Sequence, residues 1–238
     1  MSALLELRGV GKHFDGLVAN EDVSFDVDRG QIVGLIGPNG AGKTTLFNCV
    51  AGASAPSQGT IRLDGRLISG LAPEQCARAG VGRTFQIART FHGMTALENV
   101  LTGALLRERR LAKARASALA WLAFTRLERF ADRPARTLTV SEQRRLAVAR
   151  ALATEPHLLL MDEVMAGLNP SEVRETVDVV LAIRERGIAC LIVEHVLEGI
   201  MPIADKIVVL ERGRKIAEGS PEAVRNDPLV ISAYLGDD

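Results

Sequence analysis

The sequence predicts an α/β fold: a mostly parallel sheet covered by helices on both faces, an antiparallel β N-terminal part, and an inserted α-helical subdomain. Three observations predict it. Short apolar runs alternate with helical segments in the second half of the chain, the pattern of parallel strands joined by helices. A glycine-rich stretch, GPNGAGKT, lies between an apolar run and a helical one, and the interval from about 95 to 154 carries no strand pattern. The chain has 238 residues, 47% of them hydrophobic, enough for one large domain with a filled core.

From the N-terminus, residues 4–8 (LLELR) and 21–36 (EDVSFDVDRGQIVGLI) alternate or run apolar as strands do, with Asp28, Arg29 and Gly30 turning the chain between two of them. From Gly42 the pattern changes to helix, and GTIRLDG at 59–65 is a short strand bounded by glycines. Thr95 and Glu98 have capping-box spacing and open the helical interval. Trp121, in ASALAWLAF, is assigned to packing rather than chemistry. HLLLM (157–161), ACLIV (189–193) and KIVVL (206–210) are the later strands, and two short helices begin near Pro221 and Pro228. The expected organisation is a single domain, with an α/β core at about 1–94 and 155–238 and a helical subdomain at 95–154.

Twenty-nine basic side chains balance 29 acidic ones, so no overall attraction to nucleic acid or anionic lipid is expected. Residues 107–150 nevertheless hold twelve basic and four acidic side chains, which a solvated helical face explains most simply and a docking surface next. Cys49, Cys76 and Cys190 have neither metal-ligand spacing nor a disulfide framework, and a reducing compartment fits them best. No apolar run reaches the roughly 18 to 20 residues that span a bilayer, and MSALLELRGV lacks a signal-peptide layout. A membrane role would therefore come through a partner.

GPNGAGKT, residues 37–44, matches G-x-x-x-x-G-K-[ST] between strand and helix, the context of a P-loop NTPase core. Gly37, Pro38, Asn39, Gly40, Ala41 and Gly42 would curl the backbone so that its N–H groups face a β-phosphate, with the helix N-terminus adding its positive dipole end. Lys43 would reach the β/γ oxygens of ATP, the Thr44 hydroxyl would ligate Mg²⁺, and Thr45 completes the nucleotide-binding set. HLLLMDE supplies an apolar strand ending in two carboxylates: Asp162 would hold Mg²⁺, directly or through water, and Glu163 would orient and deprotonate the attacking water. A buried strand that merely ends in surface acids would read the same; the phosphate loop's need for an acidic strand end decides between them.

With GPNGAGKT, LLLMDE and LIVEH at 191–195, the chain resembles, over essentially its whole length, an ABC transporter ATPase subunit. The resemblance implies further roles. Gln86, in RTFQ, falls on the Q-loop glutamine, a Mg²⁺ ligand that links the subdomains; His195 falls on the switch histidine that contacts the γ-phosphate; Phe14, in VGKHFDG, falls on the adenine-stacking aromatic. KHFDGLVANEDVSF, RTFQIARTFHGMTALENV, AGLNP and VISAYLG are most similar to the ATPases of branched-chain amino acid importers, while lipopolysaccharide-export ATPases share a similar tail.

Departures from the family pattern are equally specific. Val164 follows Glu163 where the family has proline, Asn169 stands for the common D-loop aspartate, and the stretch between Asn99 and Leu138 is short. LTVSEQ stands where the family signature Leu-Ser-Gly-Gly-Gln belongs, so Thr139, Val140, Ser141 and Glu142 are the residues expected to touch ATP held by a second subunit. Thr139 keeps a hydroxyl and Ser141 is expected to N-cap the following helix. Val140 and Ser141 lack glycine's backbone freedom, which predicts a weakened signature. The resemblance implies ATP and Mg²⁺ as cofactors and a second ABC ATPase subunit, identical or not, as partner. It also implies transmembrane permease subunits that hold the chain on the cytoplasmic face of the cell membrane, a possible soluble substrate-binding protein, and no nucleic acid. A non-transport ABC ATPase is the alternative in a different class, and it would be expected to carry a second ATPase module, a long coiled coil or a zinc site. A weakly hydrolysing regulatory subunit is the third reading, which Glu163 disfavours.

Overall fold

The computed structural model describes residues 3–84 and 90–235. β1 (Leu5–Phe14) and β2 (Leu17–Val27) form a long hairpin, and β1 pairs on its other side with β4 (Gln58–Leu63), followed by the short β5 (Arg66–Leu67). This antiparallel sheet has the order β2-β1-β4-β5. A second sheet contains β3 (Ile32–Ile36), β6 (Val81–Arg83), β7 (Leu158–Asp162), β8 (Ala189–Val193), β9 (Lys206–Glu211) and β10 (Arg214–Gly219). Its order is β10-β9-β3-β8-β7-β6, parallel except for the edge strand β10.

Side chains on the central strands divide with a period of two, and this division sets the layers. Val33, Leu35, Leu158, Leu160, Leu191, Val193, Val208 and Leu210 join a core with the antiparallel sheet and α1 (Lys43–Val50). Ile32, Ile36, Leu159, Met161, Cys190, Ile192, Ile207 and Val209 face the opposite way, against α6 (Pro170–Glu185) and α7 (Leu197–Ile200). Both faces are covered, so these strands read as continuous apolar runs.

Before β6 lies α2 (Pro73–Ala79), and after it come α3 (Ala96–Ala104), α4 (Leu111–Phe124) and α5 (Val140–Leu152). The last three helices enclose their own core, including Leu97, Val100, Leu122, Leu127 and Leu146. The expected cap is present: Thr95 Oγ1 accepts from the Glu98 N–H at 3.1 Å, and the Glu98 carboxylate accepts from the Thr95 N–H at 2.7 Å. Trp121 does pack, edge-on against Phe124, with the Arg186 guanidinium over both rings; it touches this helical core and the sheet's core alike. α8 (Pro221–Arg225) and α9 (Pro228–Leu235) start at the two prolines.

Three elements are not evident in the sequence. β6 has three residues and takes its identity from pairing with β7. β10, RKIAEG, is a half-exposed edge strand without an apolar run. The β1–β2 hairpin extends through KHFDGLVAN, with several register shifts. The N-cap of α5 is Thr139, not Ser141: Thr139 Oγ1 accepts from the Glu142 N–H at 3.2 Å and Glu142 returns a bond to the Thr139 N–H at 2.8 Å. Ser141 lies inside the first helical turn and is buried, because a Thr-x-x-Glu pair satisfies two helix-end donors where a serine inside the turn satisfies none.

Candidate functional site

The parallel strands β3, β7 and β8 end side by side, with Leu35 paired to Val193 and Asp162 paired to Val193 on the other side. The loops that leave these ends carry the predicted chemistry, as the carboxyl edge of an open α/β sheet commonly does. After Ile36 the chain turns at Gly37 with φ 147°, and a Cβ there would lie 2.0 Å from the Leu210 carbonyl oxygen. Gly42 has φ 94° and caps α1; a Cβ on it would lie 2.4 Å from the Ala19 carbonyl oxygen. Both glycines are thus demanded by close backbone approach as well as by left-handed φ.

Lys43 is buried and its Nζ donates to the Gly37 and Pro38 carbonyl oxygens at 2.7 and 2.8 Å, curling the loop over the ammonium group. Burial pulls the Lys43 pKa down, against the opposing pull of Glu163 and Asp162. A cleft of about 300 Å³ opens here, lined by Asn39, Gly40, Ala41, Gly42, Lys43, Thr44 and Thr45, by Leu17, Val18 and Ala19, and by Glu163 and His195. Phe14 is half-exposed, sits opposite Leu17 across the hairpin, and has the Lys12 ammonium 4.8 Å from its ring; the cleft wall on that side is formed by Leu17, Val18 and Ala19 instead.

Asp162 is buried at the end of β7, with Arg83 Nη2 3.9 Å from its carboxylate. Burial raises its pKa and Arg83 counteracts this. Glu163 adopts φ 49°, a left-handed conformation that is costly for a residue with a Cβ, and its N–H donates to the Val193 carbonyl oxygen at 2.9 Å. Its carboxylate and His195 Nε2 are 2.7 Å apart. The two predicted hydrolytic side chains, 32 residues apart in sequence, therefore share a hydrogen bond. Gln86 lies outside the described residues.

The structure does not bring Thr139, Val140, Ser141 and Glu142 to this cleft; none of them lines it. Val140 is the first residue of α5 and 66% exposed, and neither it nor Ser141 has a positive φ. Glycine's backbone freedom is therefore not what this conformation lacks: the difference lies in the isopropyl group that Val140 projects into solvent. Asn169 N-caps α6, accepting from the Ser171 and Glu172 N–H groups at 3.0 Å, and Val164 is buried in the core. Arg144 of α5 donates to the Ala166 carbonyl oxygen, tying the helix that follows the signature to the loop before Asn169.

Two buried polar residues beside the site were not singled out by sequence. Asn20 Nδ2 donates to the Gly42 carbonyl oxygen at 3.2 Å, bracing the phosphate loop from β2. Glu194, between Val193 and His195, is fully buried. The available signal was an acid inside the apolar run LIVEH, read there only for its histidine.

The fit to a nucleoside triphosphate rests on this geometry: glycines with no room for a Cβ, a buried ammonium, and a helix start at Lys43. The Thr44 hydroxyl at that helix start and the buried Asp162 carboxylate are oxygen donors of the kind a hard divalent cation takes.

Comparison with known proteins agrees. The ABC transporter family model matches residues 20–166, and the model for branched-chain amino acid ATP-binding cassette transporters matches residues 214–238. The chain is 42% identical over 252 residues to the high-affinity branched-chain amino acid transport ATP-binding protein BraF of Pseudomonas aeruginosa, covering 98% of each chain. It is 37% identical over 241 residues to the lipopolysaccharide export system ATP-binding protein LptB of Acidithiobacillus ferridurans, covering 100% of this chain and 98% of that one. Among solved structures, it matches the ADP conformation of MJ1267, an ATP-binding cassette of an ABC transporter, with a TM-score of 0.90, 30% identity and full coverage of both chains. It matches the dimeric post-hydrolysis state of the cassette MJ0796, bound to ADP and Pi, with a TM-score of 0.83, 25% identity and coverage of 91% of this chain and 98% of that one. With a phosphate loop, an acidic strand end and a histidine on one sheet edge, and relatives matched along nearly its full length, the chain belongs to the ATP-hydrolysing subunits of ABC transporters, in the branch of the branched-chain amino acid transport ATP-binding proteins.

Proposed function

We propose that this chain powers import of branched-chain or other hydrophobic amino acids, working as one of two ATPase subunits beneath a pair of transmembrane permease subunits at the cytoplasmic face of the membrane. The shared cleft of the phosphate loop, Glu163 and His195 beside the buried Asp162 supports ATP hydrolysis, and the 42% identity to BraF supports the amino acid substrate. Lys43 exchanges its two carbonyl partners for β/γ-phosphate oxygens, and the backbone N–H groups of residues 39–44 donate to the same anion. Thr44, Asp162 and Gln86 would hold Mg²⁺, which when bound neutralises phosphate charge. Glu163 accepts the proton of the attacking water once ATP draws His195 toward the γ-phosphate and opens their hydrogen bond.

Thr139, Val140, Ser141 and Glu142 act on the partner subunit's nucleotide, which accounts for their distance from this chain's own cleft. Phe14 stacks on adenine from the hairpin tip. A cavity of about 510 Å³ between the α/β core and the helical part, lined by Ala53, Arg83, Phe91, Thr102 and Arg150 among others, receives a short segment of the permease. A soluble substrate-binding protein on the far side of the membrane would deliver the amino acid. Among the described residues no helix is long and apolar enough to cross a membrane, so the permease is the membrane-spanning part of this scheme.

The test is reconstitution with permease and binding proteins of the branched-chain amino acid type. Leucine-dependent ATP hydrolysis and uptake into proteoliposomes are expected. Hydrolysis stimulated by a lipopolysaccharide-type glycolipid and not by amino acids would assign the chain to the export reading that the LptB relative represents.

A further inference from the structure

Glu194 is 0% exposed and stands between the last residue of β8 and His195. Its Oε1 accepts the N–H of Met165, two residues beyond Glu163, at 2.7 Å; its Oε2 has no hydrogen-bond partner among the described residues. Met165 is itself fully buried and reaches α7, where a Cβ built on Gly199 would lie 2.5 Å from its Sδ. The segment after Glu163 is therefore joined to both sides of His195, before it by the buried Glu194 carboxylate and after it by the Met165 side chain, which needs a glycine opposite it. Glu163, two residues before Met165, and His195, next to Glu194, are the pair that share the 2.7 Å hydrogen bond.

We propose that Glu194 is a positioning residue for hydrolysis, its buried carboxylate holding the backbone after Glu163 to the turn that carries His195, so that base and histidine keep their alignment. The proposal rests on the reading of Glu163 and His195 as the hydrolytic pair. Burial pushes the Glu194 carboxyl up to about 7, the N–H groups of Met165, Val196 and His195 favour the anion, and the charge of Glu163 opposes it. Met165 and Gly199 add apolar surroundings, Lys43 faces Glu163 and Asp162, and Arg83 and His195 face Asp162. The ionised form is the stronger acceptor for the Met165 N–H, so it holds the backbone after Glu163 more firmly than the neutral acid does. An amide at 194 reproduces the shape of the neutral acid and cannot ionise.

The experiment is steady-state ATP hydrolysis by the assembled transporter from about pH 6 to about pH 8.5, comparing wild type with Glu194→Gln. Taking the ratio of the two profiles removes the pH dependence that both proteins share. The ratio of kcat should rise by about five- to tenfold between pH 6 and pH 8, with KM for ATP moving less than about twofold, as expected for a displaced general base. A flat ratio, or a change confined to KM, overturns the proposal. Should Glu194→Gln not be recovered folded, Gly199→Ala displaces Met165 from the other side of the same joint; it must lower kcat and spare KM, and an unchanged kcat overturns the proposal. Glu163→Gln distinguishes the two failures. Turnover retained in that variant sinks the reading of the hydrolytic pair, whereas turnover lost there together with a flat ratio sinks the role of Glu194 alone.

Discussion

Lys43 and Glu194 are both buried ionisable residues, yet they behave differently because their partners differ. Lys43 donates to two carbonyl oxygens of the loop, and the proposed function has it donate to the anionic oxygens of ATP. Lys43→Ala should therefore weaken ATP binding by at least about tenfold, the worth of a charge-assisted contact, while leaving the melting temperature of the free chain close to wild type. Titration calorimetry beside a thermal melt checks both parts, and unchanged affinity in a folded variant would refute the site. Glu194 has no such ligand, and its charge costs stability. Its folded pKa of about 7 lies above the unfolded value of 4.5, so the folded state binds the proton more tightly. Its neutral form stabilises fully below the unfolded pKa, and that contribution is lost as pH rises from about 4.5 through 7. The loss is on the order of 3 kcal/mol. Glu194→Gln should flatten the pH dependence of urea unfolding in that window and be the more stable protein at pH 8; an identical slope in both proteins would show that Glu194 ionises no differently when folded. A group that is costly for stability and useful for turnover is a common trade-off at catalytic sites.

At the scale of the element, α5 shows how one helix start can serve two purposes. Thr139 and Glu142 close a capping box, so Thr139→Ala should destabilise the chain by about 1 kcal/mol, read by chemical denaturation. Val140 belongs to the same turn but contributes nothing to the cap, and its isopropyl group is exposed. Val140→Gly should raise single-turnover hydrolysis at the site completed by this signature, by up to about tenfold, below the 10²–10³ associated with a wholly missing donor. Ser141→Gly should add little, since its side chain is already buried in the turn. Equal site-resolved rates before and after Val140→Gly would mean that LTVSEQ already meets the phosphate well. In a transporter whose partner ATPase keeps both glycines, Glu163→Gln should cost more turnover than the matching change in the partner, because Glu163 works opposite the partner's intact signature.

For the molecule as a whole, the groove between the α/β core and the three-helix part is larger than the nucleotide cleft and more apolar in its lining, with the Arg150 guanidinium 5.2 Å from the Phe91 ring at its edge. Arg107 closes the same junction, donating to the carbonyl oxygens of Thr154, Arg78 and Ala77. If the permease enters here, Thr102→Cys should crosslink to a cysteine in a cytoplasmic loop of the permease, and ATP should alter the yield. The native cysteines Cys49, Cys76 and Cys190 are all buried, Cys190 with its pKa pushed up to about 12, so they should not compete for the reagent. Efficient labelling of Thr102→Cys with no crosslink to a membrane chain would remove this groove as the docking surface.

The sequence by itself determined the parts whose meaning is local. GPNGAGKT fixes its own backbone through glycine and a helix start, LLLMDE and ACLIV are buried strands by composition alone, and Thr95 and Glu98 announce a cap by spacing. Only the tertiary structure decided what depends on residues far apart in the chain. β6 and β10 exist because neighbours pair with them, and Glu194 acquires its character from burial and from Met165, 29 residues away, whereas the Thr139–Glu142 cap was as legible by spacing as that of Thr95 and Glu98. Even the Glu163–His195 hydrogen bond, whose members the motifs name separately, is made by the pairing of β7 with β8. The physical reason is range: backbone propensity and side-chain spacing act within a turn or two, whereas burial and strand pairing are set by which segments the fold brings together.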